Sequence, residues 1–321
     1  MHPPVAPPAL RPPTDGSSTK TPAHPWVRRH QFLTFVAIAY AFSWTLWGLA
    51  AIGVGRVPFL VGGLGPMVAA AAVITLTGRS LRDWIRPVWR WRVPARWWAY
   101  ALGLPALLYA IISLVLQVTG SPVDWSLALG RLPAYAGTFI FVLFVGGGLE
   151  EPGWRGFGLP LLQQQLSPLK ATLLLGLVWG VWHVPLYGPA GFVVPMVLAF
   201  FYTVLWNRTR SVGLCILLHA SFTPAQDQLI LMTRDKAYTD VLDAPDWAIL
   251  GVYIVAVLLL IALTRGRLGE PATPVASASQ PPVTRQGWKR MNRLPLMTPT
   301  PEAERPTATG ITLRSDPGPR S

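Results

Sequence analysis

Eight apolar runs divide the middle of this 321-residue chain, at 32–54, 57–77, 97–118, 134–150, 169–187, 190–207, 211–233 and 245–264. A helix needs about 20 apolar residues to cross the hydrocarbon core of a bilayer. Backbone amides left unpaired in lipid are too costly for open, irregular chain. The pattern therefore predicts an all-α fold, a polytopic transmembrane helical bundle of about eight spans. The fourth run leads into 152–166, which predicts a longer, broken helix there. Charged residues make up 13% of the chain, against about 25% in a soluble domain.

Residues outside the runs sort into a simple organisation. The stretches 1–30 and 266–321 are rich in Pro, Ser, Thr and Arg and are expected to be disordered tails. They flank one transmembrane domain over 31–265. The first 30 residues contain no apolar stretch of the kind a cleavable leader carries. Cys215 is the single cysteine, so no disulfide within the chain is expected.

The formal net charge of +13 comes from arginines and lysines in short loops and tails beside apolar runs. That placement points to anionic lipids as partners and away from nucleic acid. Arg28, Arg29, Arg79, Arg82, Arg86, Arg90, Arg92, Arg96, Lys170, Arg208, Arg210, Arg265 and Arg267 fall on one side of an eight-span topology. The positive-inside rule then places both termini in the cytoplasm, in a multi-pass protein of the cell membrane. Trp84, Trp89, Trp91, Trp97 and Trp98 interleave with the arginines of the loop between the second and third runs, as in an interfacial belt. The basic stretch from Arg285 to Arg293, with Trp288 in it, is a second candidate for contact with the membrane surface.

Between residues 31 and 264 the only glutamates are Glu150 and Glu151, and the only histidines are His183 and His219. Ionisable groups inside a membrane are costly and by default mark function. On a helix Glu151 and Arg155 are an i,i+4 pair, with the acid on the favourable N-terminal side. Glu150 lies about 100° around the helix, without that partner. A carboxylate with no counter-charge in a dry site is suited to general-base work. Trp179 and His183 share a helix face, as do His219 and Thr223. A carboxylate, two imidazoles and a hydroxyl on three separate spans can converge on one water. The carboxylate would take its proton. The imidazoles would hold that water, bind a metal, or stabilise an oxyanion. Two histidines and a glutamate leave the cofactor either none or Zn2+, with His183 and His219 as candidate ligands. The His-Glu-x-x-His signature of a standard zincin helix is absent.

These three clusters resemble the motifs of the CPBP intramembrane proteases, the CAAX-prenyl-protease and Abi group. The family pattern is Glu-Glu-x-x-x-Arg, then an aromatic residue four positions before a His, then His-x-x-x-Asn. Here the motifs fall at Glu150, Glu151 and Arg155, at Trp179 and His183, and at His219 and Thr223. Gly65 and Pro66 in the second run, and the stretch from Asn207 into the seventh, also look like the family. The resemblance implies a membrane endopeptidase acting on a membrane-anchored peptide or protein, near the cytoplasmic face. In it Glu150 activates water, Glu151 and Arg155 form the supporting pair, and His183 and His219 are catalytic. Thr223 stands where the family usually has Asn, and a hydroxyl reaches less far than an amide.

Two other classes are compatible with the same residues. One is a catalytically inactive membrane immunity or scaffold protein, which Thr223 supports. The other is a proton-coupled transporter using Glu and His as relays, which a symmetric pair of broken spans would support.

Overall fold

The computed structural model of the protein describes residues 25–232 and 244–270. The basic stretch 285–293 and most of both tails lie outside them. Helix is the only regular structure among the described residues. The main helices are α1 (Gln31–Ala51), α2 (Arg56–Gly62), α3 (Gly65–Leu76), α4 (Ala95–Val118), α5 (Leu127–Phe144), α6 (Pro168–Tyr187), α7 (Val193–Thr209), α8 (Val212–Gln228) and α9 (Ala244–Thr264). Between α5 and α6 the stretch 147–163 strings together short 3-10, α and π turns.

All eight apolar runs are helical, but they are not eight equal spans. By length and composition five segments can cross a membrane: α1, α4, Leu127–Gln163, α6 and Asp246–Thr264. A sixth is added if α2 and α3, bent by 53°, count as one span. The chain is a multi-pass helical membrane protein. The remaining two runs fold as α7 and α8, of 17 residues each. Both are buried by neighbouring helices along most of their length. A helix enclosed by protein can carry polar side chains that lipid would not tolerate. α8 does so, with His219, Ser221, Thr223, Gln226 and Asp227 on one short element.

The helix faces follow from spacing. On α1 the buried residues are Phe35, Ala39, Ser43 and Trp47, each four positions from the last. This single stripe packs on α3 and α2, while Leu33, Trp44 and Leu49 on other faces stay exposed. The bend between α2 and α3 frees backbone carbonyls, and α1 satisfies them. Ser43 donates to the Gly62 carbonyl at 2.7 Å, and the Trp47 indole donates to the Phe59 carbonyl at 3.1 Å.

Helix starts are capped as expected for Ser. Ser167 accepts from the Lys170 amide at the start of α6, with Pro168 at the first helical position. Arg210, at φ 52°, breaks α7 from α8 in the left-handed region, and Ser211 then accepts from the Leu214 amide at 3.1 Å.

Two short pieces of the stretches expected to be tails are structured. Pro25–Arg29 forms a helical turn before α1. After α9 the chain folds back onto the α7–α8 junction. Asn207 Nδ2 donates to the Leu268 carbonyl at 2.9 Å, and Arg210 grips both carboxylate oxygens of Glu270 at 2.8 and 2.9 Å.

Candidate active site

The broken stretch 147–163 begins where Gly146, Gly147 and Gly148 interrupt α5. Gly147 and Gly148 each sit against α8. A Cβ on Gly148 would lie 2.7 Å from the Val142 carbonyl oxygen and 3.0 Å from Ile216 of α8. Gly153 lies directly on the backbone of Pro66 in α3, where no side chain would fit. Missing Cβ atoms thus let the break sink between α3 and α8. Pro152 starts a short α turn and Trp154–Gly158 forms a π turn, an irregularity that recurs at functional sites. The Pro152 carbonyl receives the indole N–H of Trp84 at 3.0 Å.

Glu151 and Arg155 are fully buried and form the i,i+4 ion pair, with Nη1 to Oε1 at 3.0 Å. The same Oε1 lies 2.8 Å from Nδ1 of His219, 68 residues away on α8. A carboxylate oxygen only accepts, so in a neutral His219 ring Nδ1 carries the proton and Nε2 presents its lone pair. The Arg155 guanidinium lies between the rings of Trp179 and Tyr202, 4.0 and 4.1 Å from their centroids. Stacking of this kind attracts a desolvated cation to the ring faces. Glu151 Oε2, Arg155 Nε and Nη2, and the Tyr202 hydroxyl are buried without a hydrogen-bond partner. The site is therefore under-satisfied in polar contacts, a state that buried water commonly relieves.

Glu150 is 4% exposed and is held by one oxygen. Its Oε2 accepts from the Trp179 indole at 2.9 Å and the Trp154 indole at 3.3 Å. Its Oε1 faces elsewhere. A Cβ placed on Gly147 would lie 3.2 Å from Glu150 Oε1 and 2.5 Å from His219 Nε2. Both atoms thus border the same small volume, which exists because residue 147 has no side chain.

His183, 9% exposed, has its Nδ1 2.9 Å from the Trp179 carbonyl one turn back. The carbonyl fixes the proton on Nδ1 and leaves Nε2 open. The His183 ring sits edge-on to Trp179 and stacks on Tyr187, and Trp179 also touches the His219 ring. Thr223 is placed differently. Its hydroxyl donates to the His219 carbonyl of its own helix at 3.2 Å, so only its lone pairs are available to a ligand while that bond holds.

A zinc site would need three or four ligands at close range. His183 and His219 each offer Nε2. Among the described residues, however, no three His, Cys, Asp or Glu side chains come together closely enough to hold an ion. The side chains as placed do not fit a protein-built zinc cage.

Comparison with known proteins adds an independent line. Residues 132–223 match the family described as type II CAAX prenyl endopeptidase, Rce1-like. Over this segment the chain is similar to that family. The chain is also similar to CAAX prenyl protease 2 of Methanococcus maripaludis, 29% identical over 156 residues. That alignment covers 42% of this chain and 56% of the relative, so the chain spans about half the length of the curated protein it matches. Glu150, Glu151, Arg155, His183, His219 and Thr223 all lie inside the family segment. α1, α3 and the arginine-rich loop before α4, which pack around it, do not.

Several contributors to the site carry no clear mark in the sequence. Gly147 shapes the volume between Glu150 and His219, but it looks like an ordinary helix breaker in one dimension. Trp154 reaches Glu150 because it sits four residues on, a spacing that was legible. Tyr202 stacks on Arg155 from α7, and no local pattern marks it among the other aromatics of that helix.

Proposed function

We propose that this chain is an intramembrane endopeptidase that hydrolyses a peptide bond of a membrane-anchored substrate, using water activated by Glu150. The observation that carries the reading is the convergence of Glu150 Oε1 and His219 Nε2 on one pocket of volume beside Gly147. Each group is pinned from behind, Glu150 by two indoles and His219 by Glu151.

The steps follow from those atoms. Water between Oε1 and Nε2 donates one hydrogen bond to each. Glu150 takes a proton as the water oxygen bonds to the scissile carbonyl carbon, and the carbonyl π pair moves to its oxygen. The protonated Glu150 then passes that proton to the leaving nitrogen as the C–N bond breaks. His183 Nε2 lines the same aromatic cluster and orients substrate or water. Glu151 and Arg155 hold the His219 ring in its tautomer.

The site lies on the side of the arginine-rich loop, since Trp84 of that loop bonds the Pro152 carbonyl. The positive-inside rule puts that loop, both termini and the cleavage point toward the cytoplasm.

The test is turnover of a membrane-anchored fluorogenic peptide by purified protein in vesicles. Glu150→Gln is expected to lower kcat by about 10²–10⁴-fold, the usual weight of general acid–base catalysis. His183→Ala and His219→Ala are each expected to lose activity while folding normally. Wild-type turnover in all three variants would end the proposal. A non-catalytic membrane partner is the second reading, favoured by the Thr223 hydroxyl being turned onto its own helix. It requires that Glu150→Gln leave the cellular phenotype intact.

A further inference from the structure

The loop between α3 and α4 is built as a surface that the reaction just described does not use. Residues 79–98 hold six arginines against a single acid, Asp83, and Arg82, Arg86, Arg90, Arg92 and Arg96 are all exposed. None of these five is in an ion pair among the described residues. The stretch is not a loose solvated loop. It folds as a short helix Leu81–Ile85, capped by Ser80, followed by a 3-10 turn Arg86–Trp89.

Its inner side is anchored. Trp84 donates to the Pro152 carbonyl at 3.0 Å. Val88 and Trp91 lie against Gly213 at the start of α8, where a Cβ would collide with them. Its outer side presents Trp89, 72% exposed. The stretch joins two apolar helices at their ends, so it sits at the level where lipid headgroups begin.

We infer that residues 79–98 form a docking platform for anionic phospholipid headgroups, with the five arginines contacting phosphate and Trp89 entering the interface beside them. Arg is the residue best shaped for phosphate, through its planar fork of donors. Exposed indoles favour the water–lipid boundary. Five unpaired cations held on a rigid support meet a like-charged wall unless an anion answers them, and the anion available at this depth is the headgroup. Because the platform is bonded to the break at Pro152 and packed against α8, lipid bound there lies next to the candidate active site.

The experiment uses the full chain in phosphatidylcholine vesicles containing spin-labelled phosphatidylglycerol or spin-labelled phosphatidylcholine. The measured quantity is the fraction of each label immobilised by protein. The labelled anionic lipid is expected to associate at least about threefold more strongly, as a basic membrane-facing cluster should. Replacing Arg82, Arg86, Arg90, Arg92 and Arg96 by Gln is expected to bring that ratio close to one, while Lys at the same five positions keeps most of it. If the Gln protein does not fold, the wild-type ratio is followed against salt, where it is expected to fall as the charges are screened. A ratio unchanged in the Gln variant, or insensitive to salt, overturns the inference. So does loss of the preference on adding inorganic phosphate at about 10 mM, a level that screens little compared with about 0.1 M salt, because the platform would then be a site for free anion. Cleavage activity is not part of the readout, so failure here leaves the endopeptidase proposal untouched.

Discussion

Two helices of this protein are interrupted inside the apolar region, and they are interrupted for different ends. At the bend between α2 and α3 every group named is neutral. Ser43 and the Trp47 indole close the freed carbonyls, and Gly62 and Gly65 let α1 approach. At the break after α5 the same small residues admit neighbouring helices, but the space holds two carboxylates, a guanidinium and an imidazole from α8. Several of their polar atoms are left unpaired. A bend whose freed carbonyls at Phe59 and Gly62 are closed by neutral donors reads as scaffolding. A break that buries ionisable groups inside an apolar region carries a cost that by default marks a candidate functional site. The contrast also bears on a transporter, whose site would be built from broken helices in matching positions. Here only one of the two interruptions carries titratable chemistry.

The contrast can be broken by experiment. The largest expected effect is the loss of turnover in Glu150→Gln already described, with no counterpart at the bend. Next is Glu151→Gln, which leaves Arg155 buried without a counter-charge and releases the His219 ring. Breaking a buried pair by removing one partner costs about 3–5 kcal/mol. Thermal unfolding in detergent should show the loss, and turnover should fall with it. A variant as stable and active as wild type would make the pair ornamental.

Gly147→Ala comes third. Its methyl would enter the space between Glu150 Oε1 and His219 Nε2, so kcat is expected to drop by more than about tenfold, equivalent to about 1.4 kcal/mol, with little change in unfolding temperature. Trp179→Phe keeps an aromatic ring, though a smaller one, and deletes one donor to Glu150. A kcat reduced by about tenfold at unchanged KM is expected, in line with a hydrogen bond to a charged group. An altered KM with normal kcat would instead assign Trp179 to substrate binding. The smallest effect belongs to the bend: Ser43→Ala should cost about 1 kcal/mol of stability and leave turnover as it was. Lost activity there would erase the distinction between the two interruptions.

Much of this was legible before any coordinates. The Glu151–Arg155 pair follows from i,i+4 spacing, and the structure contains it at 3.0 Å. The buried stripe of α1 follows from the helical repeat. The eight helical segments follow from apolar length, although α7 and α8 are shorter and more enclosed than spans facing lipid. Less legible was the role of the arginine-rich loop. As a sequence it reads as an interfacial belt, yet Trp84 is also a hydrogen-bond donor to the broken helix 68 residues away.

The one-dimensional pattern alone determined that the chain is a helical membrane protein and which few ionisable residues could matter. It did so because lipid penalises every unpaired amide and every charge, and so leaves a trace at each position. The tertiary structure alone decided how those residues are divided: Glu151 to Arg155 and His219, Glu150 to two indoles and an open volume, Thr223 to its own backbone. Such partnerships depend on the distance of closest approach between helices far apart in the chain. That approach is set by glycines and ring shapes, which hydrophobic periodicity does not record.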